Sequence, residues 1–342
     1  MIRFKFISFY SVSFILVLAL VNISQATDDP INFDDRPLTE PLSLPEWFKL
    51  SFLEIQSDIT EAKEQNKKGL IIYFGQKYCP YCKAHLENNW GQKDIVSYTQ
   101  KNFDVVGINV KGQRPITDID EKTYTEKSFS ALKKTNFTPS VLFYNTKGRE
   151  VLRLRGYRPP YQFRAALEYV ADGHYTKEPF RKYLARAETA LSFGKAELNS
   201  NDIFNSPPHL LDRSRVKADL PLMVIFEQKR CHACDILHGG PLVRAEIESQ
   251  LLKFEAVQLD MYSTQPLITP SGQKMSTQQW AEKLDINYSP TILFFDENGK
   301  EIIRIESVVW FYRLRNVLNY VLTGAYKQYA TFQLWRQAKN MK

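Results

Sequence analysis

Leu70-Ile71-Ile72-Tyr73-Phe74-Gly75-Gln76-Lys77-Tyr78-Cys79-Pro80-Tyr81-Cys82 is the stretch on which the fold turns. Its apolar first half, rich in Ile and aromatics, has the composition of a buried strand. A short polar break leads into Cys-x-x-Cys, and Lys83 to Asn89 continues without a helix breaker. A strand feeding Cys-x-x-Cys at a helix start is the layout of a thiol–disulfide redox site. Free N–H groups and the dipole at a helix N-terminus stabilise an anion, so the first thiol ionises below its ordinary pKa of ~8.5. The thiolate is the form that attacks disulfides.

The same pattern recurs further along. Leu222-Met223-Val224-Ile225-Phe226-Glu227-Gln228-Lys229-Arg230-Cys231-His232-Ala233-Cys234 repeats it, including Phe-x-Gln-Lys-x-Cys. Phe137-Thr138-Pro139-Ser140-Val141-Leu142-Phe143-Tyr144 returns as Tyr288-Ser289-Pro290-Thr291-Ile292-Leu293-Phe294-Phe295. The turn Asn145-Thr146-Lys147-Gly148 returns as Asp296 to Gly299, and Leu167 to Tyr175 as Leu318 to Tyr326. The offset is 152 residues at the first cysteine and 151 at the proline. So steady an offset indicates a duplicated domain.

The 342 residues fit two domains of roughly 150 residues each. We expect a signal peptide at 1–26, an extended Asp- and Pro-rich leader at 27–45, a first domain at 46–190, a linker at 191–208 and a second domain at 209–342. Within the first domain the pattern predicts helices near 58–68, 94–101, 124–134 and 178–190, and a helix opened by Pro159-Pro160. It predicts strands at 103–110, 141–144 and 151–154, with a polar excursion over 112–122.

Met1 to Lys5 is a basic n-region, an apolar h-region follows to about Val21, and Ser24-Gln25-Ala26 resembles a cleavage site. An uncleaved anchor is the competing reading, although the apolar run is short for a span of ~20 residues. Without Arg3 and Lys5 the balance is 43 basic against 38 acidic residues, or +5. With no Lys/Arg block and an export signal, nucleic acid is not expected as a partner. All four cysteines fall in the two Cys-x-x-Cys pairs. Static disulfides and a shared zinc site remain the alternatives to redox chemistry.

The sequence resembles the thioredoxin fold in two tandem copies, and more closely the exported SoxW-like thioredoxin-related proteins. Tyr-Cys-Pro-Tyr-Cys-Lys, Ile116-Thr117-Asp118, Thr125-Glu126-Lys127, Thr138-Pro139 and Arg155-Gly156-Tyr157 carry that likeness. It implies an α/β fold with two thioredoxin-like domains, each a mixed central sheet flanked by helices. It also implies a thiol–disulfide oxidoreductase. Cys79 and Cys231 would be the exposed nucleophiles, and Cys82 and Cys234 the resolving thiols.

By the same resemblance Thr138-Pro139 and Ser289-Pro290 are cis-Pro loops. They would pair with an extended substrate and tune the nearby sulfur. Pro80-Tyr81 and His232-Ala233 would set the redox potentials, a cationic His232 making the second site the more oxidising. No cofactor beyond the redox-active disulfides and no metal is expected. The expected partners are exported protein thiols and disulfides and a membrane thiol-reductant donor, and the expected location is the periplasm. A non-catalytic tandem adaptor or chaperone is the alternative from another class.

The sequence departs from the family at the buried acid that many thioredoxins carry six residues before the first cysteine. Tyr73 and Ile225 stand there, and Glu227 is the nearest acid in the second copy, with Gly75 in the matching place. His85 and His238 follow their pairs closely and are read as polar residues of the redox helices rather than Cys–His catalytic partners. The aromatics Tyr157, Tyr161, Trp310, Phe311 and Tyr312 are read as core rather than a substrate rim. Asp118 and Asp120 are read as a solvated loop rather than a metal loop.

Overall fold

The computed structural model describes residues 29–188 and 197–339. The signal peptide expected at 1–26 and the linker residues 191–196 lie outside the described residues. The mixed α/β architecture implied by the resemblance, in the two tandem copies indicated by the repeat, is what the structure shows.

In the first copy α1 (Ile55–Glu64) leads into β1 (Gly69–Gly75), α2 (Pro80–Ala84), a π-helical turn at His85–Asn89, α3 (Lys93–Asn102) and β2 (Phe103–Asn109). Strands β3 (Pro115–Thr117) and β4 (Thr123–Thr125) precede α4 (Glu126–Leu132), β5 (Ser140–Asn145), β6 (Glu150–Arg155), α5 (Pro160–Ala171) and α6 (Phe180–Glu188). The sheet order is β2-β1-β5-β6, with β1 parallel to β2 and antiparallel to β5.

All of β1 is buried. Leu70, Ile72 and Phe74 face one apolar cluster while Ile71 and Tyr73 face another. A central strand covered on both faces has no polar side, which is why the run has no alternation.

The second copy repeats the plan. It comprises β7 (Leu222–Glu227), α7 (His232–Gly239), α8 (Ala245–Leu251), β8 (Glu255–Asp260), β9 (Pro266–Ile268), β10 (Lys274–Ser276) and α9 (Thr277–Lys283). It continues with β11 (Thr291–Phe295), β12 (Glu301–Ile305), α10 (Phe311–Leu322) and α11 (Phe332–Ala338), in sheet order β12-β11-β7-β8.

Two readings are corrected. The polar excursion at 112–122 is framed by a hairpin, β3 on β4. The helix expected from Tyr124 starts at Glu126, because Thr125 caps it: its hydroxyl accepts the Ser128 N–H, and Ser128 bonds back to the Thr125 N–H. Among the described residues no helix is long and apolar enough to cross a membrane.

The copies meet through equivalent segments, related by the 151-residue offset. Arg155 pairs with its counterpart Glu306 at 2.8 Å, and the Val308 N–H donates to the carbonyl of its counterpart Tyr157. The Arg158 guanidinium donates to the Asn287 side-chain oxygen at 2.9 Å and lies 4.5 Å from the Tyr288 ring centre. Phe137 of the first copy joins the apolar cluster of the second, 5.4 Å from the Phe332 ring. An approximate two-fold axis therefore runs between the domains.

Candidate active site

Each redox helix is capped by its own first sulfur. The Cys82 N–H donates to Cys79 Sγ at 3.0 Å, and the Cys234 N–H to Cys231 Sγ at 3.1 Å. Pro80 fits the first turn of α2, where no N–H is required. Both pairs are disulfide-bonded, with Cα–Cα distances of 5.1 and 5.2 Å.

The Thr138–Pro139 and Ser289–Pro290 peptides are cis and lie beside the sulfurs. Thr138 Oγ1 is 3.3 Å from Cys79 Sγ and accepts a bond from Gln76 Nε2 at 3.0 Å. Ser289 Oγ lies 3.4 Å from Cys231 Sγ and 3.2 Å from Cys234 Sγ. The structure thus brings Cys79, Cys82, Thr138 and Pro139 together, and likewise Cys231, Cys234, Ser289 and Pro290.

Behind the helices the copies diverge in a correlated way. In the first, Tyr73 occupies the place of the buried acid, and His85 stacks on it at 5.7 Å between ring centres. Trp90 and Phe163 each approach the His85 ring at 4.6 Å. Burial alone drives the His85 imidazole down to about 3, so it is neutral. A Cβ on Gly75 would sit 2.7 Å from Tyr73 Cε1, so Tyr73 excludes a larger side chain there. In the second copy the small Ile225 leaves that place to Glu227. Its carboxylate is fully buried, 3.0 Å from His238 Nε2 and accepting from Gln258 Nε2 at 2.7 Å. Both histidines are therefore interior groups, not surface positions on their helices.

The thiols expected to be exposed are not. Cys79 is 2% exposed and Cys231 7%. The second domain and the leader run across the first site, and the leader's Asp29 reaches His232 beside the second. The Tyr81 hydroxyl donates to Asp35 Oδ2 at 2.9 Å and accepts the Trp310 N–H at 2.8 Å. The Arg313 guanidinium lies 3.2 Å from the Tyr81 ring centre and donates to the Thr138 carbonyl at 2.7 Å. Asp35 also accepts the Tyr312 and Arg313 N–H groups, capping the start of α10. Burial pushes the Asp35 carboxyl up, with these bonds opposing. At the other end of the leader Asp29 holds His232 at 2.7 Å. Phe33 wedges between Tyr81 and Tyr157 at 5.0 and 5.6 Å.

Tyr81→Phe removes a hydroxyl that both donates and accepts. Leaving the buried Asp35 short of a donor costs roughly 1–3 kcal/mol. That is about 5- to 150-fold in opening the contact, and the alkylation rate of reduced Cys79 should rise by that factor relative to Cys231. An unchanged ratio would show that Tyr81 is not what closes the site.

Sequence reasoning missed Asp29, Asp35, Gln76 and Arg313. The repetition of Gln76 as Gln228 was the one visible signal. The leader's role had none, because its contacts reach residues of both copies far along the chain, Tyr81 and Tyr157 in the first and His232 and Trp310 in the second. Asp118 pairs with Lys133 at 2.8 Å and Asp120 with Lys122 at 2.7 Å. Among the described residues no group of three or more His, Cys, Asp or Glu is placed to hold a metal ion. Trp310 packs at the domain junction, with its indole N–H on the Ile31 carbonyl at 2.9 Å.

No curated protein matches the chain. Among solved structures it is similar to a thioredoxin-fold protein from Helicobacter pylori, at 22% identity and a TM-score of 0.32 over 37% of this chain and 88% of that one. It is similar to a thioredoxin from Thermus thermophilus at 20% identity, TM-score 0.30, over 36% and 90%. A disulphide isomerase from Xylella fastidiosa matches at 15% identity, TM-score 0.23, over 44% and 98%. These likenesses carry no functional argument. The assignment rests on the family model for the thioredoxin-like domain, which matches residues 55–171 and again 213–322. With a Cys-x-x-Cys pair in each matched region, the chain belongs to the thioredoxin-like domain family and is a thiol–disulfide oxidoreductase.

Proposed function

We propose that the chain is an exported oxidoreductase that exchanges disulfides with protein substrates, and that the second site meets those substrates. The observation that carries this is the asymmetry of the cis-Pro loops. Thr138 is 1% exposed and its carbonyl is taken by Arg313, so an extended chain cannot pair there without displacing the second domain. Ser289 is half-buried, and among the described residues no group of the first domain bonds to its carbonyl. Arg230 and Lys229 beside Cys231 are exposed. In this reading a substrate pairs with the Ser289 loop as an added strand. The Cys231 thiolate attacks its disulfide, a mixed disulfide forms, and Cys234 resolves it.

The basic n-region, apolar run and small-residue site at the N-terminus support export to the periplasm. The SoxW-like resemblance supports a membrane thiol reductant as the electron donor. The test is trapping. Cys234→Ser should accumulate mixed disulfides with specific proteins in cells, and Cys82→Ser should not. Trapped proteins on Cys79 instead of Cys231 would reverse the assignment. Client binding that survives loss of all four cysteines would favour an adaptor.

A further inference from the structure

A cavity of about 370 Å³ opens beside Cys79 at the domain junction. Arg313, Arg315 and Arg336 line it together with Cys79 and Thr138, and Asp35 is the only carboxylate among its lining residues. That carboxylate is already engaged by Tyr81 and by two backbone N–H groups. Burial, and then the charge of Arg313, hold Arg336 down at about 10, and Lys111 is lowered by burial and by Arg336. Arg315 lies 4.9 Å from the Tyr312 ring centre and 3.8 Å from Glu246 on a neighbouring helix. The cavity thus carries a surplus of positive charge next to a sulfur that a protein chain cannot reach.

We propose that this cavity binds a low-molecular-weight thiol or disulfide bearing carboxylates, of the glutathione class, and that the first pair exchanges electrons with it. Arginines grip carboxylates through paired N–H donors, and the cavity has room for a tripeptide-sized molecule but not for a folded substrate. The thiolate attacks Cys79 Sγ, forming a mixed disulfide and expelling the Cys82 thiolate. A second thiolate attacks the sulfur of the bound carrier, leaving its disulfide and Cys79 as thiolate. Two small thiols are oxidised, one protein disulfide is reduced, and the two protons released by the small thiols are available to the two cysteines. With excess carrier disulfide the same steps run backwards.

This inference rests on the first pair being redox-competent, and the test separates the two claims. A Cys231→Ser/Cys234→Ser protein, oxidised at Cys79–Cys82, is reduced by glutathione or by the cationic thiol cysteamine, each rate divided by the thiolate present. Glutathione should be favoured on the order of tenfold or more, as expected for a charge pair at a partly buried site. Arg315→Gln and Arg336→Gln should each bring the ratio towards one. Raising salt from about 0.05 to about 0.5 M should shrink it in the protein with native arginines, a readout that needs no arginine variant to fold. A ratio near one that is indifferent to salt and to both arginines overturns the anion site while leaving the pair redox-competent. No reduction by any thiol, dithiothreitol included, overturns both.

Discussion

Lowering the pH from 7 to 4 should strip on the order of 3 kcal/mol from the first domain through His85 alone. The folded imidazole titrates at about 3 because burial disfavours its charge, against an ordinary value of 6.5. Between those values the unfolded chain holds a proton that the folded chain does not. The His85 contribution is therefore fully present above pH 6.5 and is lost as pH falls towards 3, by about 1.4 kcal/mol per pH unit. Asp35 acts with the opposite sign. Its raised carboxyl favours the folded state below 3.8 and loses that advantage as pH rises through its folded value. The Asp35 effect is shared by any variant at position 85. His85→Leu, similar in volume and uncharged, should flatten the pH dependence of hydrogen-exchange protection across β1 between pH 6.5 and 4. Equal slopes in the two proteins would show that His85 takes up its proton while folded.

Cys231→Ser should cost on the order of 1,000-fold or more in turnover of a protein disulfide, since a serine hydroxyl stays un-ionised where the thiolate attacked. Cys79→Ser should leave most of that turnover, because Arg313 and Tyr81 already close the first site to an extended chain. The measurement is thiol-driven reduction of insulin or a comparable substrate with each single variant. The opposite ranking would mean that the domains part readily and that the closed arrangement is not the one that meets substrates.

Much of the fold was legible because its signals are local. An apolar run without alternation marks a strand covered on both faces, and the 151–152-residue offset marks a second copy of the same unit. The cysteines, the X-Pro loops and their mutual placement followed from the resemblance. What was not legible joins residues far apart along the chain. Asp35 reaches Tyr81 over 46 positions, and Arg313 reaches Thr138 over 175. No periodicity or spacing encodes such pairings. The exposure of Cys79 was misjudged for that reason, since a single domain read alone leaves its redox helix open. The interior setting of His85 was hidden differently. Its cage assembles from β1, α5 and the turn at Trp90, each ordinary by itself.

The contact between Arg155 and Glu306 says something about assembly. These are the same position in the two copies, yet they carry opposite charges, and Glu306 is 4% exposed at its side chain. Two first domains joined through this surface would set arginine against arginine, and two second domains would set a buried carboxylate against its twin. Like charges so placed repel, so each half is matched to its unlike sibling and mismatched to its own kind. The duplication has in this way become a heterodimer written on one strand of polypeptide, protected from trading halves with neighbouring molecules as like-with-like pairs.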